Sequence, residues 1–104
     1  MDPWNKIERQ RIYWEITAER IRQEKKFGAR PGGAIGGLPL HERVVVLMEE
    51  AGEVAHASLA KSDGDVGLKN DGDYRAELVQ VAAVAVAMIE AHDEAHADTV
   101  RAPA

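Results

Sequence analysis

Glu77-Leu-Val-Gln80-Val-Ala-Ala-Val-Ala-Val-Ala-Met-Ile-Glu90 is the stretch that decides the fold class. From Leu78 to Ile89 only Gln80 is polar. The run is too short and too interrupted to span a bilayer. It reads as a helix from about Tyr74 to Asp93, and a helix apolar on every side is buried on every side. Two further helices in a chain of 104 residues cannot easily surround it. A second copy of the chain is therefore expected over its remaining face, making a homodimer or homotetramer.

Toward the N-terminus, turn chemistry (Ser62-Asp-Gly-Asp-Val-Gly-Leu-Lys-Asn-Asp-Gly-Asp73) precedes this helix, with Asp71 or Asp73 as its cap. Before that, a second helix is expected from about His41 to Lys61. Val44–Val46 also allows a strand, but charged flanks and the long continuation favour helix. Residues 28–40 are rich in Gly and Pro: Pro31, Gly32, Gly33, Gly36, Gly37 and Pro39 should exclude regular structure, leaving a linker or a flap. The first helix should run from about Trp4 to Phe27. Ile7, Ile12, Trp14, Ile16 and Ile21 fall near one face, Asp2 is a candidate N-cap, Pro3 takes the first position and Gly28 stops the helix. Residues 95–104 read as a frayed tail. The chain is thus one all-α domain, residues 1–104, with three main helices and no internal repeat.

Composition narrows function. Thirteen Lys and Arg against eighteen Asp and Glu give a net charge of −5, which disfavours a nucleic-acid polymer as partner. With no Cys, a disulfide scaffold, a thiolate zinc site and a Cys nucleophile are excluded. No apolar leader is visible in MDPWNKIERQ, so a soluble cytoplasmic protein without a membrane partner is expected.

The chemistry sits in acids. Glu49, Glu50 and Glu53 share about one turn of the second helix, and Glu77 with Gln80 one turn of the third. Two like charges about 5 Å apart repel by roughly 3 kcal/mol at an effective dielectric near 20. Carboxylates gathered beside apolar surface therefore call for a cation or shifted pKa values, and hard oxygen donors suit Mg²⁺ or Mn²⁺. Taken singly, each Glu is more simply a solvated residue.

Leu47-Met-Glu49-Glu50-Ala-Gly-Glu53-Val-Ala55, then Glu77-Leu-Val-Gln80, resembles the E-E-x-x-E, spacer, E-x-x-D pattern of the MazG-like all-α nucleoside triphosphate pyrophosphohydrolases. Glu19-Arg-Ile-Arg22-Gln23-Glu-Lys-Lys26-Phe27-Gly28 is similar to an E-R-x-R-Q-x-x-K-[WF]-G segment of one branch. The resemblance implies a MazG-like helical bundle and conversion of an NTP or dNTP to its monophosphate and pyrophosphate. It implies Glu50, Glu53 and Glu77 as metal ligands. Gln80 stands where the family has Asp, either as an uncharged fourth ligand or as a buried polar residue fixing helix register. Glu49 is an additional ligand or the base that activates water. Arg22, Gln23, Lys26 and Phe27 would line the nucleotide pocket, with Phe27 stacking on a base and Gln23 reading its edge, while Lys61 and Arg75 are cations for the phosphates. Phe27 also reads as a helix-end core anchor, and the basic residues as solvated. Gln80 leaves a second class open, a catalytically weakened helical dimer that binds nucleotides or a protein partner.

Other motifs carry less. Glu53-Val-Ala-His56 lacks the second E-x-x-H that a di-iron bundle wants. His92 and His96 share a face at a helix end, where solvation is the simpler reading. The Asp-rich turn lacks the Gly and Glu positions of a calcium loop. The Gly-rich segment is neither a P-loop nor a dinucleotide fingerprint.

Overall fold

The computed structural model describes residues 5–28, 31–62 and 71–97. Their regular structure is helical throughout: α1 (Lys6–Phe27), α2 (Gly33–Gly36), α3 (Leu40–Ser62) and α4 (Asp71–Ala95). The three long helices lie close to their expected positions, and Val44–Val46 belongs to α3. No helix among the described residues is long and apolar enough to cross a membrane.

α1 starts later than expected. Asn5, in an extended conformation, accepts a hydrogen bond at Oδ1 from the Ile7 N–H at 2.8 Å. That bond satisfies one of the donors that a helix start leaves without a partner. The expected cap at Asp2 and Pro3 lies outside the described residues. Gly28 ends the helix at φ 101°, its N–H donating to Glu24 O, after Lys25 and Lys26 have placed positive charge at the negative end of the dipole. Asp71 and Asp73 are the first and third residues of α4, and the expected cap from their side chains lies outside the described residues.

The Gly/Pro segment corrects the sequence expectation. Residues 33–36 form one helical turn instead of irregular loop, and the segment is not a free linker. Glycine is a poor helix former, but tertiary contacts decide here. Gly32 enters the turn at φ 78° and lies so close to α4 that an added Cβ would stand 2.7 Å from Ala87 O and 2.9 Å from the Ala91 Cβ. Arg43 fastens the other end, donating from Nε to Leu38 O at 2.8 Å and from Nη2 to Gly36 O at 3.3 Å.

α4 is the central element, packed by α3 most extensively and by α1 and α2 as well, while α1 and α3 do not pack on each other among the described residues. The core is small. Ala57 of α3 and Ala83, Val84, Ala87 and Ala91 of α4 are buried, and among the described residues no large side chain is fully buried. Because α1 and α3 do not meet, one stripe of α4 stays open, with Leu78 and Ile89 exposed. The apolar stripe of α1 does not form a core within one chain either. Ile7 and Trp14 are about two-thirds exposed, because α1 docks on α4 through polar side chains instead.

Candidate functional site

The four helices meet around a cavity of about 240 Å³. Its α1 wall carries Arg22, Gln23 and Lys26. Positions 22, 23 and 26 share one helical face, so a single turn of α1 presents all three. Glu50 from α3 and Gln80 from α4 supply the polar groups of the other side. Ile35, Val46 and Val84 provide apolar lining, and Gly32 brings the α2 turn against it. The Gly-rich segment is therefore part of the cavity wall.

The acids of α3 and α4 come together around Glu50. Burial raises the Glu50 carboxyl above its ordinary range, and the Glu77, Glu53, Glu49 and Glu19 carboxylates each push it further up. The charged groups that raise it are all carboxylates. Glu50, Glu77 and Gln80 are half-buried, and Glu49 and Glu53 are exposed. Glu49, Glu53 and Glu77 stand outside the cavity lining. Among the described residues no three His, Asp or Glu side chains form a ready-made metal cage. The donor chemistry nonetheless fits a hard divalent cation, since the gathered groups are carboxylate and amide oxygens and their mutual repulsion is what a cation relieves.

Two residues without an assigned role in the sequence reading organise the α1 side. Glu19 accepts from Arg22 through Nε at 2.9 and 3.0 Å and through Nη2 at 2.5 Å. The Arg22 hydrogen bond is the main reason its carboxyl falls below the usual range, opposed by burial and assisted by the Gln80 and Gln23 side chains. Glu19 thus stands close enough to Gln80 for that side chain to act on its carboxyl. It stood in the quoted E-R-x-R-Q segment, but nothing in one sequence placed it near α3 and α4.

The other is Arg20, buried at 4% exposure. Its Nε and Nη2 donate to Glu90 Oε1 at 3.0 and 2.5 Å, and its Nη1 donates to Gln23 Oε1 at 2.6 Å. A buried guanidinium is tolerated only when its donors are used, and here three of its nitrogens are. Arg20 also lies under the α2 turn, where a Cβ on Gly33 would meet its Nη1 at 3.5 Å. A helical-wheel reading assigns such an arginine to solvent, because only the docked α4 supplies Glu90.

Arg75 is not brought to the cavity. It forms a two-pronged pair with Glu15 of α1, at 2.5 and 2.9 Å, on the exposed side of the α1–α4 contact. Glu15 is held below the ordinary carboxylate range chiefly by that hydrogen bond. Phe27 is the last residue of α1 and Lys61 the last but one of α3, but their side chains lie outside the described residues. Set against family models, curated proteins and solved structures, the chain matches none of them.

Proposed function

We propose that the chain is a Mg²⁺-dependent nucleoside triphosphate pyrophosphohydrolase, Mn²⁺ serving as an alternative, that converts an NTP or dNTP and water to the monophosphate and pyrophosphate. The observation that carries this reading is the cavity with opposite walls. Cationic and donor groups on α1 (Arg22, Gln23, Lys26) face oxygen acceptors on α3 and α4 (Glu50, Gln80). A triphosphate with its counter-ion needs both characters in one place. The MazG-like motif order Glu49-Glu50-x-x-Glu53, Glu77-x-x-Gln80 supports the same reading.

In this proposal Glu50, Glu53, Glu77 and Gln80 would hold the cation, which would neutralise phosphate charge. Glu49, exposed and next to Glu50 on α3, takes the proton from the attacking water. The α-phosphorus–oxygen bond to the β-phosphate breaks, and pyrophosphate departs with the bridging oxygen. The exposed apolar side chains, among them Val44, Val45 and Met48 of α3 and Ile89 of α4, favour a second copy as partner, giving a homodimer or homotetramer in the cytoplasm.

The test is pyrophosphate release from a panel of NTPs and dNTPs with Mg²⁺ or Mn²⁺. Turnover that Glu53→Gln abolishes in a folded protein is the expected result. A pure protein that binds nucleotides and turns over none of them rejects the enzyme. That outcome favours the weakened binding module, which the uncharged Gln80 in an acid position supports. A sedimentation experiment at micromolar concentration should give a dimer or larger species, and a monomer rejects the assembly.

A further inference from the structure

Gln80 lines the cavity with a side chain that has two unlike ends, an amide oxygen that accepts and an NH₂ that donates. Only the oxygen can serve a cation. Which end turns inward is decided from α1. Arg20 binds Glu90 through Nε and Nη2 and donates from Nη1 to the Gln23 oxygen at 2.6 Å. With its oxygen taken, Gln23 has its NH₂ left, and that group acts on the Glu19 carboxyl. Glu19 also accepts from Arg22 at 2.5, 2.9 and 3.0 Å, and its side chain is only 12% exposed. The remaining donor to the same carboxyl is the Gln80 side chain.

An ionised carboxylate has no proton to give. The Gln80 atom that meets Glu19 is therefore the amide nitrogen, whichever way the amide is drawn. Each link of this network has one direction: guanidinium to amide oxygen, amide nitrogen to carboxylate, and carboxylate from a second amide nitrogen. The end of Gln80 left over is its oxygen. Across the cavity Glu50 is already crowded by the carboxylates of α3 and α4. Another carboxylate at position 80 would add to that repulsion, whereas an amide oxygen offers lone pairs without charge and is a hard donor that suits Mg²⁺.

We infer that Glu19 is a positioning residue: by holding the Gln80 NH₂ it turns the Gln80 oxygen into the cavity, where the amide takes the place of a carboxylate oxygen toward a divalent cation. This deepens the cation reading above and rests on it. Glu19 is itself aimed by Arg22 and Gln23, and Gln23 by Arg20, so the orientation of one α4 side chain is set by a network on α1.

The experiment is titration of the full chain with Mn²⁺ in the absence of nucleotide, followed by electron paramagnetic resonance of the free ion, so that no turnover is needed. Glu19→Gln removes the partner that can only accept, and the Gln80 amide is then free to reverse. Mn²⁺ binding is expected to weaken about tenfold or more. A carboxylate at position 80 has two equivalent oxygens and no wrong end. On a Gln80→Asp background, Glu19→Gln should therefore cost only the smaller loss that one removed charge causes. Equal losses in both backgrounds mark Glu19 as a charge alone and overturn its positioning role, as does no loss in the natural sequence. A second measurement needs neither metal nor a variant at position 19. In ¹⁵N relaxation the Gln80 side-chain NH₂ should be as rigid as the helix backbone, unlike that of the exposed Gln10. A Gln80 NH₂ as mobile as that of Gln10 overturns the proposal. A rigid Gln80 amide that loosens in Glu19→Gln, in a chain that binds no Mn²⁺, rejects the cation reading and leaves the orientation standing.

Discussion

The two sides of α4 are built on different physics. Where α2 and α3 approach it, the contact depends on small size: Ala57, Ala83, Ala87 and Ala91 are buried, and Gly32 lies against the α4 backbone with no room for a methyl group. Where α1 approaches, charge holds it: Arg20–Glu90 at the centre and Arg75–Glu15 toward the rim. The first contact sets how close the helices come and tolerates no added volume. The cavity lies where the two kinds of contact meet, lined by Arg22, Gln23 and Lys26 of α1 on one side and by Gly32, Val46 and Glu50 of the closely packed side on the other.

The largest test of this contrast is Gly32→Ala. One added methyl group meets Ala87 O and the Ala91 Cβ, and a non-glycine residue at φ 78° adds strain of its own. A loss of about 2–4 kcal/mol is expected in urea denaturation, and a loss under 1 kcal/mol would mean the contact is loose. On the polar side, Arg20→Met keeps most of the buried stem but removes three charge-assisted bonds. About 1.5–3 kcal/mol is expected, less than for Gly32→Ala because Glu90, 40% exposed, can return to water.

Glu50→Gln has the opposite sign. Because the Glu50 carboxyl is raised in the folded chain, its contribution favours folding below the ordinary carboxyl pKa and is lost as pH rises through the folded value. Glu50→Gln should therefore raise the melting temperature at pH 7 without metal, and make no difference near about pH 3, where both side chains are neutral. An equal or lower melting temperature at pH 7 would show that Glu50 is not crowded by its neighbours. Glu19 runs the other way. Its lowered carboxyl stabilises the fold above the ordinary value and stops doing so as pH falls through the folded one, so Glu19→Gln should cost stability at pH 7 and little in acid. The smallest effect belongs to Arg75→Ala. Its pair with Glu15 is at the surface, and melting curves should coincide with those of the natural chain, more so at high salt.

Much of the helical frame was legible in one dimension. The apolar run from Leu78 to Ile89 marked α4, and the long continuation after Val46 told α3 from a strand, because helical periodicity survives in sequence order. The acids Glu49, Glu50, Glu53 and Glu77 were legible for the same reason, and the structure does place the other three near enough to Glu50 to raise its pKa. The turn at residues 33–36 was not legible. Its glycines argue against a helix locally, and only the close approach to α4 and the Arg43 clasp argue for one. Arg75 misled in the other direction: its place at the start of α4 suggested phosphate, but Glu15, sixty positions away, had the nearer claim.

Residue order by itself determined the all-helical class, the three long helices and the side of each on which acids collect, since those depend on contacts three or four positions apart. What only the tertiary structure decided was which polar side chains meet. Arg20 with Gln23 and Glu90, and Glu19 beside Gln80, depend on how α1 docks across α4, and a contact spanning seventy residues leaves no periodic trace in the chain. The physical reason is the same in each case. A buried charge is placed by the partner that satisfies it, and that partner is chosen by packing.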